Sequence, residues 1–320
     1  MIPLEYQGIK QGKQITDFIA GVSSPIQLDI LFPNTNSGDY RSKQEFQNQG
    51  YETYACTVFS ANNCKETLFN YYIKNGIIDI GNMQWLNDNG YLINGEINFS
   101  DRLPAQYAEI QYGVGTYQYK ANDAVRKWSV PEAMCPYTNI NYFDNSIVTQ
   151  EMINLSDEFN KRFTFNWYWV ENPAIWLMSS PLQATVKFAT GDPILKPYGN
   201  ANHAIEVYKS FKYNNEDTFA IEDSYAQTDK VYGKDYVSNF VGYSLTINNN
   251  TMDINKFILD NDLKFVRNTN TGAFGRVINK KLRVVNTLDR GTLLLLDNEH
   301  RENGTNVTDS EWQVIPKENF

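Results

Sequence analysis

Gln47-Asn48-Gln49-Gly50-Tyr51-Glu52-Thr53-Tyr54-Ala55-Cys56-Thr57-Val58-Phe59-Ser60 is the stretch around which the chain is organised. A polar, glycine-containing loop runs into a cysteine, and an apolar pattern of helical spacing begins directly behind it. Val58, Ala61, Leu68 and Tyr72, with Phe59, Phe69 and Ile73 beside them, fall near one face of a helix of about 3.6 residues per turn. The pattern predicts a helix with Cys56 in its first turn, where free N–H groups and the positive end of the dipole favour an anionic sulfur. A buried cysteine is also one of the commonest small core residues. The loop and two distant stretches therefore have to carry any chemical reading.

On the N-terminal side, residues 1 to about 35 mix short apolar runs with turn residues such as Pro25, Pro33-Asn34 and Ser37-Gly38-Asp39. Residues 1–24 read as a lead-in segment, too short for a helical pro-domain. On the C-terminal side come turn-rich segments: Asp88-Asn89-Gly90, Asn94-Gly95 and Tyr112-Gly113-Val114-Gly115-Thr116. A second helical pattern follows from about Tyr119 to Trp128, stopping before Val130-Pro131. The region 140–180 is rich in aromatics, among them Phe163, Phe165, Trp167, Tyr168, Trp169 and Trp176; they could stack a ligand, but packing against a helix is the favoured use. From Leu182 the period changes towards two, and Ala184–Phe188, His203–Tyr208 and Thr218–Glu222 read as strands. Helices first and antiparallel strands second make an α+β domain over residues 25–245. A small β-rich domain is expected over 246–320, with a boundary near Asn248-Asn249-Asn250-Thr251. It carries a short helix candidate, Asp253 to Asp260, then four or five strands, among them the apolar run Leu293–Leu296.

Composition narrows the classes of function. The 320-residue chain is 42% hydrophobic and 20% charged, an ordinary globular balance. Its net charge of −9 and lack of a Lys/Arg cluster exclude nucleic acid as the expected partner. No run of 18 apolar residues is present, so no membrane span is expected. Met1–Tyr6 lacks the basic and apolar regions of a secretory signal, which points to a cytoplasmic or virion-associated protein. Cys56, Cys64 and Cys135 cannot make a disulfide framework and form no CxxC pair. No compact Cys/His set suggests zinc, so neither metal nor cofactor is expected. Cys64, eight residues beyond Cys56 on the same helix, reads as core, and so does Cys135.

Of two histidines, His300 sits in the hydrophilic turn Asn298–Glu302 and reads as surface. His203 opens a strand, 147 residues after Cys56. Asp223, in Ala220-Ile221-Glu222-Asp223-Ser224-Tyr225, comes 20 residues later, and antiparallel pairing would set it beside the His203 ring. Thiol, imidazole and orienting acceptor together make an activated nucleophile. A serine triad is a weak competitor, because no G-x-S-x-G is present.

Asn48-Gln49-Gly50, Ala55-Cys56-Thr57-Val58-Phe59-Ser60, Asn202-His203-Ala204-Ile205 and Glu222-Asp223-Ser224-Tyr225 resemble the papain-like (C1) cysteine peptidases, as a divergent bacterial or phage-type member. The 147-residue interval matches a spacing already known for that family, about 130–150 residues. Phe99-Ser100-Asp101, Gly113-Val114-Gly115, Ala133–Tyr137 and Pro181–Val186 are similar to further family segments, in the same order. The resemblance covers about residues 25–243. It implies a two-lobed papain-like fold, helical lobe against β lobe, with Cys56, His203 and Asp223 catalytic. Gln49 would then supply an oxyanion-hole donor beside the Cys56 N–H, worth about 2.7–4 kcal/mol in the transition state. Gln47 is the alternative donor, since Gln49 stands one residue further from the cysteine than is usual. Gly113, Gly115 and Asn202 would line the substrate cleft.

Several positions depart from the family pattern. Thr57 replaces the usual Trp, Asp223 the usual Asn, and Tyr225 the next Trp; both partners of the family's loop disulfide are absent. The implied activity is thiol-dependent hydrolysis of peptide bonds, in a protein or a cell-wall peptide. The alternatives are a structural or attachment protein, for example of a phage virion, whose chemistry has lapsed, and a transglutaminase-like acyl transferase. The C-terminal domain, devoid of catalytic constellations, is expected to bind an assembly partner.

Overall fold

The computed structural model describes residues 29–43, 45–48, 52–110, 113–137, 143–191, 193–225 and 229–248, and the backbone of four strands within 265–307. Two compact units emerge, one of Met1–Ile77 with Leu86–Ile247, the other of Ile78–Trp85 with Asn248–Phe320.

In the first unit the helices are α1 (Cys56–Lys74), α2 (Ile80–Asp88, shared with the second unit), α3 (Arg102–Tyr107), α4 (Gln118–Lys127), α5 (Gln150–Arg162) and α6 (Pro173–Trp176). The strands are the short pair β1 (Leu92–Ile93) and β2 (Glu96–Ile97), then β3 (Phe163–Trp169), β4 (Leu182–Val186), β5 (His203–Tyr213), β6 (Glu216–Glu222), β7 (Lys230–Gly233) and β8 (Val237–Ile247). Six of them form one antiparallel sheet in the order β3-β8-β4-β5-β6-β7. The fold is α+β, helices and an antiparallel sheet. In the first unit the helix starting at Cys56, the helix near Tyr119–Trp128 and the three predicted strands are present, with β4 lying two residues earlier, β5 running longer and β6 starting two residues earlier than their patterns suggested.

Helix α1 packs on β5 and α4. It differs from the expected amphipathic helix in one respect: every residue from Cys56 to Asn70 is buried, polar ones included. The reason is a polar stripe facing the sheet. Ser60, Asn63 and Thr67, spaced at helical intervals, meet Gln183 of β4 (2.9 Å), Glu222 of β6 (3.2 Å) and Glu206 of β5 (2.9 Å). Each such bond nets only about 1 kcal/mol, but an unmade one leaves a buried group costing about 1–3 kcal/mol. The stripe therefore fixes the helix's rotation more sharply than apolar contact could.

A second buried face of α1 meets an aromatic cluster. Phe69 lies 5.2 Å from Phe163, 5.4 Å from Phe99 and 5.5 Å from Phe159. Phe163 of β3 thus packs against a helix, the use the sequence favoured for the aromatics of this region. Beyond the sheet's other face, Leu182, Ala184, Val186, Ile205, Val207, Phe219, Ile221 and Tyr232 build an apolar core. Gln183 alternates with them and points to α1, as the two-residue period of a strand requires.

Within the second unit the described strands are β9 (Phe265–Asn268), β10 (Phe274–Ile278), β11 (Lys281–Val284) and β12 (Thr305–Val307), in the order β11-β10-β9-β12. β12 runs parallel to β9; the other pairings are antiparallel. The lead-in segment 1–24, the helix candidate Asp253 to Asp260, the run Leu293–Leu296 and His300 lie outside the described residues.

Candidate active site

Cys56 is the first residue of α1, and the N-cap residue Ala55 makes no side-chain cap hydrogen bond among the described residues. Its turn is held in place by side chains. Ser60 Oγ donates to the Cys56 carbonyl at 2.7 Å, and Gln183 Nε2 donates to the Thr57 carbonyl at 2.7 Å. Gln183 is itself fixed by Asn122 Nδ2, 2.7 Å from its Oε1. The loop before the helix is tied through Glu52. Its Oε1 accepts from the Tyr54 N–H and from Gln47 Nε2, both at 2.9 Å, and its Oε2 accepts from the Tyr225 hydroxyl at 2.8 Å. Tyr54, two residues before the cysteine, has φ +59, a left-handed conformation that costs a non-glycine residue about 1–2 kcal/mol. The Glu52 acceptor offsets that strain.

His203 begins β5, paired with Val186 of β4. Because β5 and β6 pair Glu206 with Glu222, the chain leaving β6 delivers Asp223 next to the ring. His203 Nε2 lies 2.8 Å from Asp223 Oδ1, which also accepts the Tyr225 N–H at 2.8 Å. Nδ1 has no hydrogen-bond partner among the described residues, and the Cys56 thiol is the further group acting on this ring. Phe188 and Tyr225 close over the imidazole, with centroids at 5.6 and 5.0 Å. The other Asp223 oxygen is taken by Lys230, whose Nζ donates to Oδ2 at 2.6 Å and to the Ala189 carbonyl at 3.1 Å.

Burial opposes charge on both partners. For His203 it is outweighed by the charge and hydrogen bond of Asp223, and then by Cys56, so that the imidazole pKa is pushed up to about 10. For Asp223 burial is outweighed by His203 and Lys230, which hold the carboxyl far below the usual carboxylate range. Each partner thus favours the charged form of the other. Burial pushes the Cys64 thiol well up, and raises that of Cys135. All three cysteines are free and buried; Cys56 is 0% and His203 1% exposed.

Gln49 lies outside the described residues. Gln47 is fully buried, with its amide nitrogen on Glu52 and its Oε1 receiving the Ser224 hydroxyl at 2.5 Å. Gly113 and Gly115 both have positive φ, +78 and +71, which suits glycine; Gly113 is exposed and Gly115 buried. Asn202 is buried, and its Oδ1 accepts the Phe188 N–H at 2.8 Å. Sequence reasoning missed Glu52, Gln183 and Lys230. Each acts across the fold, and only the nearness of Glu52 to Cys56 was a signal. Among the described residues no group of three or more His, Cys, Asp or Glu could hold a metal ion. Nor, among them, is any helix long and apolar enough to cross a membrane.

No protein-family model matches this chain, and no curated protein does. Solved structures similar to it include digestive procathepsin L 3 of Tenebrio molitor larval midgut (15% identity, TM-score 0.45, 75% of this chain and 77% of that one). Another is from work on the mite allergens Blo t 1 and Der p 1 (12%, 0.45, 75% and 76%), and a third is proCathepsin B S9 from Trypanosoma congolense (10%, 0.39, 76% and 87%). Likenesses this distant say nothing of chemistry, which has to be read from the side chains.

Proposed function

We propose that the protein is a papain-like cysteine peptidase, hydrolysing peptide bonds of a protein or cell-wall peptide through Cys56, His203 and Asp223. The observation that carries the reading is the Asp223–His203 hydrogen bond at 2.8 Å, with Nδ1 left for the thiol at the start of α1. His203 Nδ1 takes the Cys56 proton, and the thiolate attacks the scissile carbonyl carbon. The carbonyl π pair moves onto oxygen, where the Cys56 N–H and the Gln49 amide stabilise it. Collapse expels the amine, which leaves with the proton from His203. Water, deprotonated by His203, then attacks the thioester, and the acid departs as the thiol re-forms. Asp223 orients the ring for these transfers through its bond to Nε2.

Burial of Cys56 and His203 favours a second reading, a structural or attachment protein whose chemistry has lapsed. A peptide library separates the two. Wild type should cleave a subset of peptides, while Cys56→Ala and His203→Ala should cleave none. A wild type that cleaves nothing, with Cys56 unlabelled by a peptide-like epoxide, would leave the lapsed reading standing.

A further inference from the structure

We propose that Lys230 is a positioning residue of this site: it locks the Asp223 carboxylate and offsets its charge, so that a carboxylate can orient His203 while leaving the imidazolium able to give up its proton. The inference rests on the reading of Cys56 and His203 as nucleophile and base.

Lys230 opens β7, opposite Ile221 of β6, two residues before Asp223. Its side chain is 8% exposed, and its Nζ lies 4.5 Å from the Phe188 ring centroid as well as on Asp223 and Ala189. Both Asp223 oxygens are therefore committed, Oδ1 to the His203 ring and the Tyr225 N–H, Oδ2 to the ammonium. The carboxylate cannot rotate to exchange them without breaking a buried, charge-assisted bond, the stronger kind.

Charge gives the second consequence. An unopposed carboxylate at 2.8 Å stabilises an imidazolium strongly, which helps form the thiolate but hinders proton return to the leaving amine. With Lys230 on its far oxygen, the acceptor and its partner sum to zero. Among the described residues the groups acting on the pair are Cys56 from α1, Glu222 and Tyr225 at the end of β6, and Lys230 and Tyr232 from β7, with Phe188 as the apolar wall. Lys230 is the one cation among them.

The test is an NMR titration of His203 in the full chain carrying Cys56→Ala, so that no thiol titrates alongside. The chain has two histidines, and His300→Gln assigns the signals. Lys230→Met should raise the His203 midpoint by roughly one pH unit, and Lys230→Arg should return it towards the parent value. A midpoint unmoved by Lys230→Met overturns the proposal. Should that variant not fold, Asp223→Asn is compared with Asp223→Asn/Lys230→Met: the double variant should titrate at higher pH, and equal midpoints overturn the proposal. With Cys56 intact, Lys230→Met should also move the upper limb of kcat/KM to higher pH and lower kcat more than it changes KM. No cleavage by wild type would sink the peptidase reading while leaving the titration result to judge Lys230.

Discussion

Gln47 has its amide nitrogen on Glu52, its amide oxygen on Ser224 and its backbone on Thr53 and Ser224. These bonds brace the loop, although the amide nitrogen carries a second hydrogen beyond the one given to Glu52. Gln47→Ala should therefore lower stability by about 1–3 kcal/mol, and Gln49→Ala should lower kcat by about 10²-fold with little change in Tm. Steady-state kinetics and thermal melts on both variants check this; a catalytic loss confined to Gln47→Ala would reverse the assignment. For Asp223 the sign follows from its effect on the ring. The carboxylate raises the imidazole pKa, so Asp223→Asn should move the upper limb of kcat/KM to lower pH, as a pH–rate profile would show. The His203–Asp223 pair was legible because both residues belong to one antiparallel hairpin, where spacing fixes neighbours. Lys230 was not. Its contact depends on a third strand and on how a long side chain folds back, which no local pattern records.

At the scale of elements, α1 decides where the thiol sits. Its start was visible in the loop-to-helix transition at Cys56, but its full burial was not, because the sheet meets it with Gln183, Glu206 and Glu222 rather than with apolar side chains. A hydrophobic pattern cannot announce a polar interface. Gln183→Ala tests that interface. It removes the donors to the Thr57 carbonyl and Ser60 and leaves Asn122 Nδ2 without that acceptor. Urea unfolding should show a loss of about 1–3 kcal/mol, accompanied by a fall in kcat as the first turn of α1 loosens. Unchanged stability would mean that α1 is held by its aromatic face alone. Helix α5 was also missed. Its polar surface hides an apolar set at Met152 and Phe159, capped by Thr149 Oγ1 on the Met152 N–H at 3.2 Å.

For the molecule as a whole, the buried charges set how stability varies with pH. Burial raises the carboxyl of Glu45, and burial reinforced by repulsion from neighbouring carboxylates raises those of Glu66 and Asp101 and pushes Glu132 up to about 9. Burial likewise pushes Glu206 up to about 8 and Glu222 up to about 7, although Arg41 opposes both. A carboxyl raised on folding contributes stability below its unfolded pKa, roughly 4.3, and loses it as pH rises through the folded value. His203, pushed up to about 10, acts in the same sense above its unfolded pKa of about 6.5. Lys65 works the other way: burial pushes it down to about 7, so its contribution is lost as pH falls from about 10 to 7 and is nearly constant below that. Asp223, depressed, holds its full contribution above its unfolded pKa of about 3.9 and loses it as pH falls below that. Between pH 5 and 7 the carboxyls vary and, from about pH 6.5, His203 adds to the same trend, so Tm should be highest near pH 5 and fall towards pH 8. A Tm that is flat or rising over that range in calorimetry would contradict the burial of these charges.

The central claim is that one thiol of three is a nucleophile because of where His203 stands. The direct measurement is the rate of iodoacetamide modification at Cys56, Cys64 and Cys135 near pH 7, mapped by mass spectrometry in wild type and in His203→Ala. The structure predicts that Cys56 reacts much faster than Cys64 and Cys135, whose thiols burial raises, and that its rate falls steeply without the imidazole. Equal rates at the three cysteines, or a Cys56 rate indifferent to His203→Ala, would contradict it.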